Sequence, residues 1–145
     1  MAVKETLQLF TPMLYVKDSI EAIAFYSDVF GVEEIKERTM LLSQVPGMEN
    51  TPGADQQAVY SKLQFSDGSA LSVAELNFEG ATVGNNIHIG LQYTDTTAQK
   101  QAFDKLAEGG EVLEALEAKF WGVVYGIVRD KYGVVWESNA YTTQD

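Results

Sequence analysis

Thr11-Pro-Met-Leu-Tyr-Val-Lys-Asp18 and His88-Ile-Gly-Leu-Gln-Tyr-Thr-Asp95 are two short runs, rich in apolar and aromatic residues, that each end on an aspartate. Laid over one another they begin an internal repeat, the feature that most constrains the fold of a chain this size. A helical pattern follows each Asp. Ala22, Phe25, Tyr26 and Val29 recur at the spacing of one helix face, and Gln99, Ala102, Phe103 and Leu106 occupy the same offsets in the second copy. Three of those four pairs are apolar in both copies. Asp18 followed by Glu21 predicts a capping-box variant at the first helix, and Asp95 or Thr96 is placed to cap the second. Gly31 and Gly109-Gly110 supply left-handed stops.

Three strand candidates follow each helix. In the first copy they are residues 32–41, 58–65 and 70–76; in the second, residues 111–116, 123–129 and 134–139. Turns at Ser66-Asp67-Gly68 and Asp130-Lys131-Tyr132-Gly133 join the last two strands of each copy. The pattern is βαβββ–βαβββ, with residues 77–86, carrying Gly80 and Gly84, as the linker. A longer loop over residues 43–57, with Pro46, Gly47, Pro52 and Gly53, interrupts the first copy as either a binding segment or simple disorder.

The chain has 145 residues and no cysteine, so it suits one compact domain that needs no disulfide. Its formal net charge of -11 would repel a phosphate backbone or an anionic membrane, and no apolar run is long enough to span a bilayer. No apolar stretch of signal-peptide type follows the start, which points to the cytoplasm.

Phe25-Tyr26 ahead of Val29-Phe30-Gly31, within Ala22-x-x-Phe-Tyr-x-x-Val-Phe-Gly31, resembles the first-helix signature of the vicinal oxygen chelate (glyoxalase/bleomycin resistance/dioxygenase) superfamily. The stretch from Phe120 to Glu137, with Trp121-Gly122, Tyr125-Gly126 and Asp130-x-Tyr132-Gly133-x-x-Trp136, resembles the C-terminal hairpin of its PhnB-like subgroup. The likeness runs from about Leu7 to Asn139. It implies an α+β fold, two βαβββ modules forming a curved eight-stranded mixed sheet around a shared cavity. Residues 1–145 would be a single domain, with module one at about 6–76 and module two at about 87–140. It also implies a small-molecule ligand and a homodimer; the net charge, for its part, argues against a nucleic-acid or membrane partner.

Enzymes of this superfamily use a divalent metal to chelate two neighbouring substrate oxygens. The resemblance carries the ligand positions of module two onto His88, the only histidine, and Glu137. In module one the first position falls on Thr11, a poor ligand. The last falls on Ser72 if Gly68 matches Gly133, or on Glu75 if a bulge intervenes. His88, Glu137 and Glu75 would just supply the three protein ligands of an open site for Zn, Ni, Mn or Fe, with Glu137 or Glu75 as the proton-moving carboxylate. A protein without metal, its His88 hydrogen-bonded to Glu137, stands equally open.

Thr11, Trp121, Tyr125 and Arg129 are the expected pocket residues. Gly122 and Gly126 would leave room beside the two aromatics, and Arg129 could hold a carboxylate or phosphate. Glu33, Glu34, Lys36, Glu37 and Arg38 are expected to form a solvated face. The leading expectation is a PhnB-like protein binding a small organic molecule. The alternatives are a metal-dependent lyase, isomerase or transferase of the glyoxalase type, and a drug-sequestering protein of the bleomycin-resistance kind.

Overall fold

The computed structural model describes Thr6 and residues 9–141; Leu7, where the family likeness begins, lies outside them. Contacts divide the chain into two units, Met1–Leu76 and Asn77–Asp145.

The second unit realises the repeat without interruption. It runs β6 (His88–Tyr93), α2 (Thr96–Ala107), β7 (Glu111–Lys119), β8 (Val123–Arg129) and β9 (Val135–Tyr141). The sheet order is β6-β9-β8-β7, with β6 parallel to β9 and the other pairs antiparallel. Gln99, Ala102, Phe103 and Leu106, the four positions expected to face inward, are the buried residues of α2. Gln99 belongs there because its amide Nε2 donates to the Val124 carbonyl (3.0 Å) and to Ser138 Oγ (3.1 Å), tying the helix to two strands. The turn after β8 is built by Asp130, which is 2% exposed. Its carboxylate accepts the amides of Tyr132 and Val134 and the indole N–H of the buried Trp136. Gly133 closes this turn at φ 92°, where a side chain would be strained.

The first unit repeats the frame and then departs from it. It contains β1 (Met13–Val16), α1 (Ser19–Phe30), β2 (Met40–Leu41), β3 (Ala58–Tyr60), β4 (Leu63–Gln64) and β5 (Ala70–Glu75). Its strands form a three-stranded sheet, β1-β5-β4, with β1 parallel to β5, and a separate β2-β3 pair. The strand expected over residues 58–65 is split by Ser61, which is fully buried. Its Oγ donates to the Val73 carbonyl (2.6 Å) and accepts the Val73 amide (3.0 Å), so a side chain replaces one rung of the ladder. The strand expected over residues 32–41 survives only as a bridge at Glu34 and as β2. Between them Lys36–Arg38 forms a 3₁₀ turn, closed by Arg38 N–H to Ile35 O and Thr39 N–H to Lys36 O. The loop over 43–57 folds into 3₁₀ turns with Ala54 buried beneath it.

The expected Asp18–Glu21 capping box does not form. Asp18 sits at φ 59°, in the left-handed region, and its side chain makes no capping bond. Glu75, at the end of β5, does the capping. Its Oε2 accepts Asp18 N–H (3.1 Å), while Oε1 accepts Ser19 N–H (3.0 Å) and Ser19 Oγ–H (2.7 Å). Ser19 Oγ in turn accepts Ala58 N–H (2.9 Å), so one carboxylate links β5, α1 and β3. An anion at a helix N-terminus is also favoured by the helix dipole. In the second unit Asp95 caps α2 locally, accepting Thr97 N–H (2.8 Å) and Ala98 N–H (3.4 Å).

These two devices respond differently to mutation. Glu75→Ala strips three charge-assisted bonds from a part-buried helix end and is expected to cost about 1–3 kcal/mol in urea unfolding. Asp18→Gly should stay within about 0.5 kcal/mol of wild type, because it removes no capping bond and relieves the positive φ.

Candidate functional site on the open face of the second sheet

Strand alternation gives the second sheet two faces. Trp136, Ser138 and Ala140 of β9 are buried on the side that α2 covers, whereas Glu137 and Asn139 are half-buried on the other. His88, Gly90 and Gln92 of β6 and Tyr125 and Ile127 of β8 share that second, open face by register. Gly90 lies directly opposite Glu137 and has no side chain, which leaves the space beside the carboxylate to the His88 ring one step away.

The result is a continuous hydrogen-bonded chain across three strands. His88 Nδ1 lies 2.6 Å from Glu137 Oε2, and Tyr125 Oη donates to Glu137 Oε1 at 3.0 Å. His88 Nε2 lies 3.0 Å from the Asn85 carbonyl. The His88 hydrogen bond, seconded by Tyr125, lowers the Glu137 pKa against the opposing effect of burial, so the carboxylate is ionised and accepts from both neighbours. Burial, and then the bond to that anion, raise the Tyr125 phenol above its ordinary range. On β7, Lys119 bridges Glu114 and Glu117, each at 3.1 Å, and extends the charged row toward Tyr125.

His88 and Glu137 are thus brought together, and Tyr125 joins them. The other expected residues are placed elsewhere. Glu75 is engaged at the N-terminus of α1. Arg129 pairs with Glu111 across the β7–β8 ladder at 3.0 Å. Trp121 is 56% exposed beside the almost fully exposed Phe120, their rings edge to face at 5.0 Å in the β7–β8 turn. The room expected beside Gly126 is filled, since a Cβ there would meet the Glu114 carbonyl at 2.9 Å and Leu116 Cδ2 at 3.0 Å. Thr11 is half-buried just ahead of β1. The link from Tyr125 to Glu137 had a sequence signal: a hairpin turning at Asp130–Gly133 makes them diagonal neighbours. The Asn85 carbonyl had none.

Register also decides between Ser72 and Glu75. Met13 pairs with Ser72 in the first unit, and Gly90 with Glu137 in the second. Sliding Thr11 onto His88 carries Met13 onto Gly90, so Ser72 is the counterpart of Glu137 and Glu75 that of Ala140. No bulge intervenes. Ser72 is fully buried and its Oγ has no hydrogen-bond partner among the described residues.

Over residues 8–138 the sequence matches the Glyoxalase/Bleomycin resistance protein/Dioxygenase superfamily. The chain belongs to that superfamily. Protein YjdN of Escherichia coli (strain K12) is 27% identical over 131 residues, 86% of this chain and 88% of its own. Protein PA1353 of Pseudomonas aeruginosa superposes with a TM-score of 0.77 at 23% identity, covering 94% of this chain and 98% of that one. A PhnB protein of Bacillus cereus gives a TM-score of 0.70 at 21% identity over 92% and 99%. The fold of this superfamily member is therefore shared with PhnB-like structures.

The metal of the superfamily's enzymes fits these residues poorly. Both ring nitrogens of His88 already lie within hydrogen-bond distance of a protein oxygen, Glu137 Oε2 and the Asn85 carbonyl, so a metal at either would have to displace one of them. No group of three His, Cys, Asp or Glu residues able to hold a metal occurs among the described residues. The counterparts of His88 and Glu137 in the first unit are Thr11 and Ser72. A third carboxylate from Glu75 would have to abandon the α1 terminus.

Glu137 carries a pH signature. Its folded pKa is depressed, so its contribution to stability is complete above the ordinary value of 4.5 and is lost as pH falls through the lower folded value. The stability advantage of wild type over Glu137→Gln in urea should therefore vanish in acid. Tyr125→Phe removes one donor and should raise the Glu137 titration midpoint, read by carboxyl carbon NMR.

Proposed function

We propose that this superfamily member binds a small organic molecule on the open face of the second unit's sheet and needs no resident divalent metal to do so. The hydrogen-bonded His88–Glu137–Tyr125 chain supports this reading. Glu137 is a half-buried anion that can accept a ligand hydroxyl or amine, while His88 and Tyr125 can turn their donors to ligand oxygens. Such groups orient a ligand against the apolar surface of Ile127. A homodimeric, cytoplasmic protein is part of the same proposal, the dimer being open to sedimentation analysis.

The glyoxalase-type alternative, a metal-dependent lyase, isomerase or transferase, has the His88 and Glu137 donors in its favour and lacks a third. The drug-sequestering alternative has the net charge of -11 and the acidic row Glu111, Glu114 and Glu117 on β7 in its favour, features that suit a cationic molecule.

Metal analysis by mass spectrometry after loading with Zn, Ni, Mn and Fe separates the first two readings. The proposal expects far less than one metal per chain, unchanged in His88→Ala. One metal per chain, lost in that variant, would establish the metalloenzyme. For the ligand, a thermal-shift screen of small carbonyl, phosphonate and cationic compounds should give hits whose affinity falls about tenfold in Glu137→Gln. Hits indifferent to that substitution would move the site elsewhere.

A further inference from the structure

A second groove, of about 460 Å³, lies in the first unit, over the β2-β3 pair and the 3₁₀ turn before it. It is lined by Glu37, Arg38, Thr39, Met40, Gln44 and Tyr60. Its size falls in the range of small-molecule sites. We propose that this groove binds a small organic carboxylate, held by the Arg38 guanidinium with Tyr60 and Gln44 as supporting donors.

Three observations support this assignment. First, the chain has two arginines, and only one is spent. Arg129 is paired with Glu111, whereas the Arg38 side chain has neither hydrogen bond nor ion pair among the described residues. An unpaired guanidinium in a chain of net charge -11 has ample carboxylates to choose from, yet the local fold gives it none. Glu34, the nearest candidate in sequence on the preceding bridge, is taken by the Thr39 hydroxyl at 2.6 Å. Glu37 lines the groove without pairing Arg38.

Second, two of the remaining polar groups are free to donate, whereas the Thr39 hydroxyl already donates to Glu34. Gln44 Oε1 accepts the Leu41 amide at 2.7 Å, which fixes the side chain and leaves its Nε2 to donate. The Tyr60 hydroxyl has no protein partner among the described residues. A guanidinium, an amide N–H₂ and a phenol around one groove match the acceptor-only oxygens of an anion. Third, Met40 and the Tyr60 ring give the groove an apolar wall, and a planar carboxylate matches the two-pronged guanidinium better than a point charge would. By register Tyr60 is the first unit's counterpart of Tyr125, so both units place a tyrosine on the corresponding strand. One donates to an internal carboxylate; the other has an external one to meet.

Benzoate is the probe, followed by the ¹⁵N resonances of the Arg38 Nε–H and the Gln44 side-chain amide. Both should shift saturably with benzoate and stay still with neutral benzamide. Arg38→Gln should weaken benzoate about tenfold or more, and Arg38→Lys, which keeps charge but loses the fork, by a smaller factor. Glu37→Gln should tighten binding by removing a like charge. His88→Ala should leave benzoate affinity within about twofold, so failure here is distinguishable from failure of the second-unit site. Absence of saturable shifts, equal response to benzamide, or benzoate binding that survives Arg38→Gln would each overturn the assignment. Tighter binding of inorganic phosphate than of benzoate would overturn the carboxylate class.

Discussion

The parallel pairing of the first and last strand in each unit is the constraint on which the remaining structure depends. A parallel pair cannot be closed by a tight turn and needs a crossover, so the helix must pass over one face of the sheet before the chain returns. That crossover buries one face of each sheet; the other face is open in the second unit, while in the first both faces of β5 are buried. It also sets register. Because β1 meets β5 and β6 meets β9 in the same alignment, each residue of these paired strands in one unit acquires a structural counterpart in the other. Position on the open face follows from that pairing and from strand alternation alone.

Within the shared frame the two units use their acids differently. The second keeps a carboxylate on the open face, at Glu137, and caps its helix with the residue that precedes it. The first has Ser72 at the matching place, and its acid three residues further along at Glu75. From there a carboxylate reaches the start of α1 and satisfies two backbone amides and a hydroxyl. With Glu75 supplying the cap, the left-handed Asp18 makes no capping bond of its own. The same residue type thus lies on the open face in one unit and anchors a helix end in the other.

The open face of the second sheet is organised by alternation of charge and donor. His88, Glu137 and Tyr125 are satisfied through one another, and Lys119 holds Glu114 and Glu117 at the far edge. Each anion of that row faces a donor, so Glu114, Glu117 and Glu137 share one small sheet. The first unit has a sparser arrangement, and its one arginine, Arg38, has no partner among the described residues.

The sequence by itself determined the repeat, the two crossover helices and the hairpin turns. These rest on periodicity and short-range turn chemistry, which act over a few residues and leave a visible pattern. Only the tertiary structure decided that Glu75 caps a helix, that Ser61 splits a strand, that Gly126 is filled by β7, and that Arg129 is spent while Arg38 is not. Each of those outcomes joins residues distant in the chain, and each depends on which of several chemically suitable partners the register brings within hydrogen-bond reach. A carboxylate in a sequence announces that it needs donors. Which donors it receives is set by the fold.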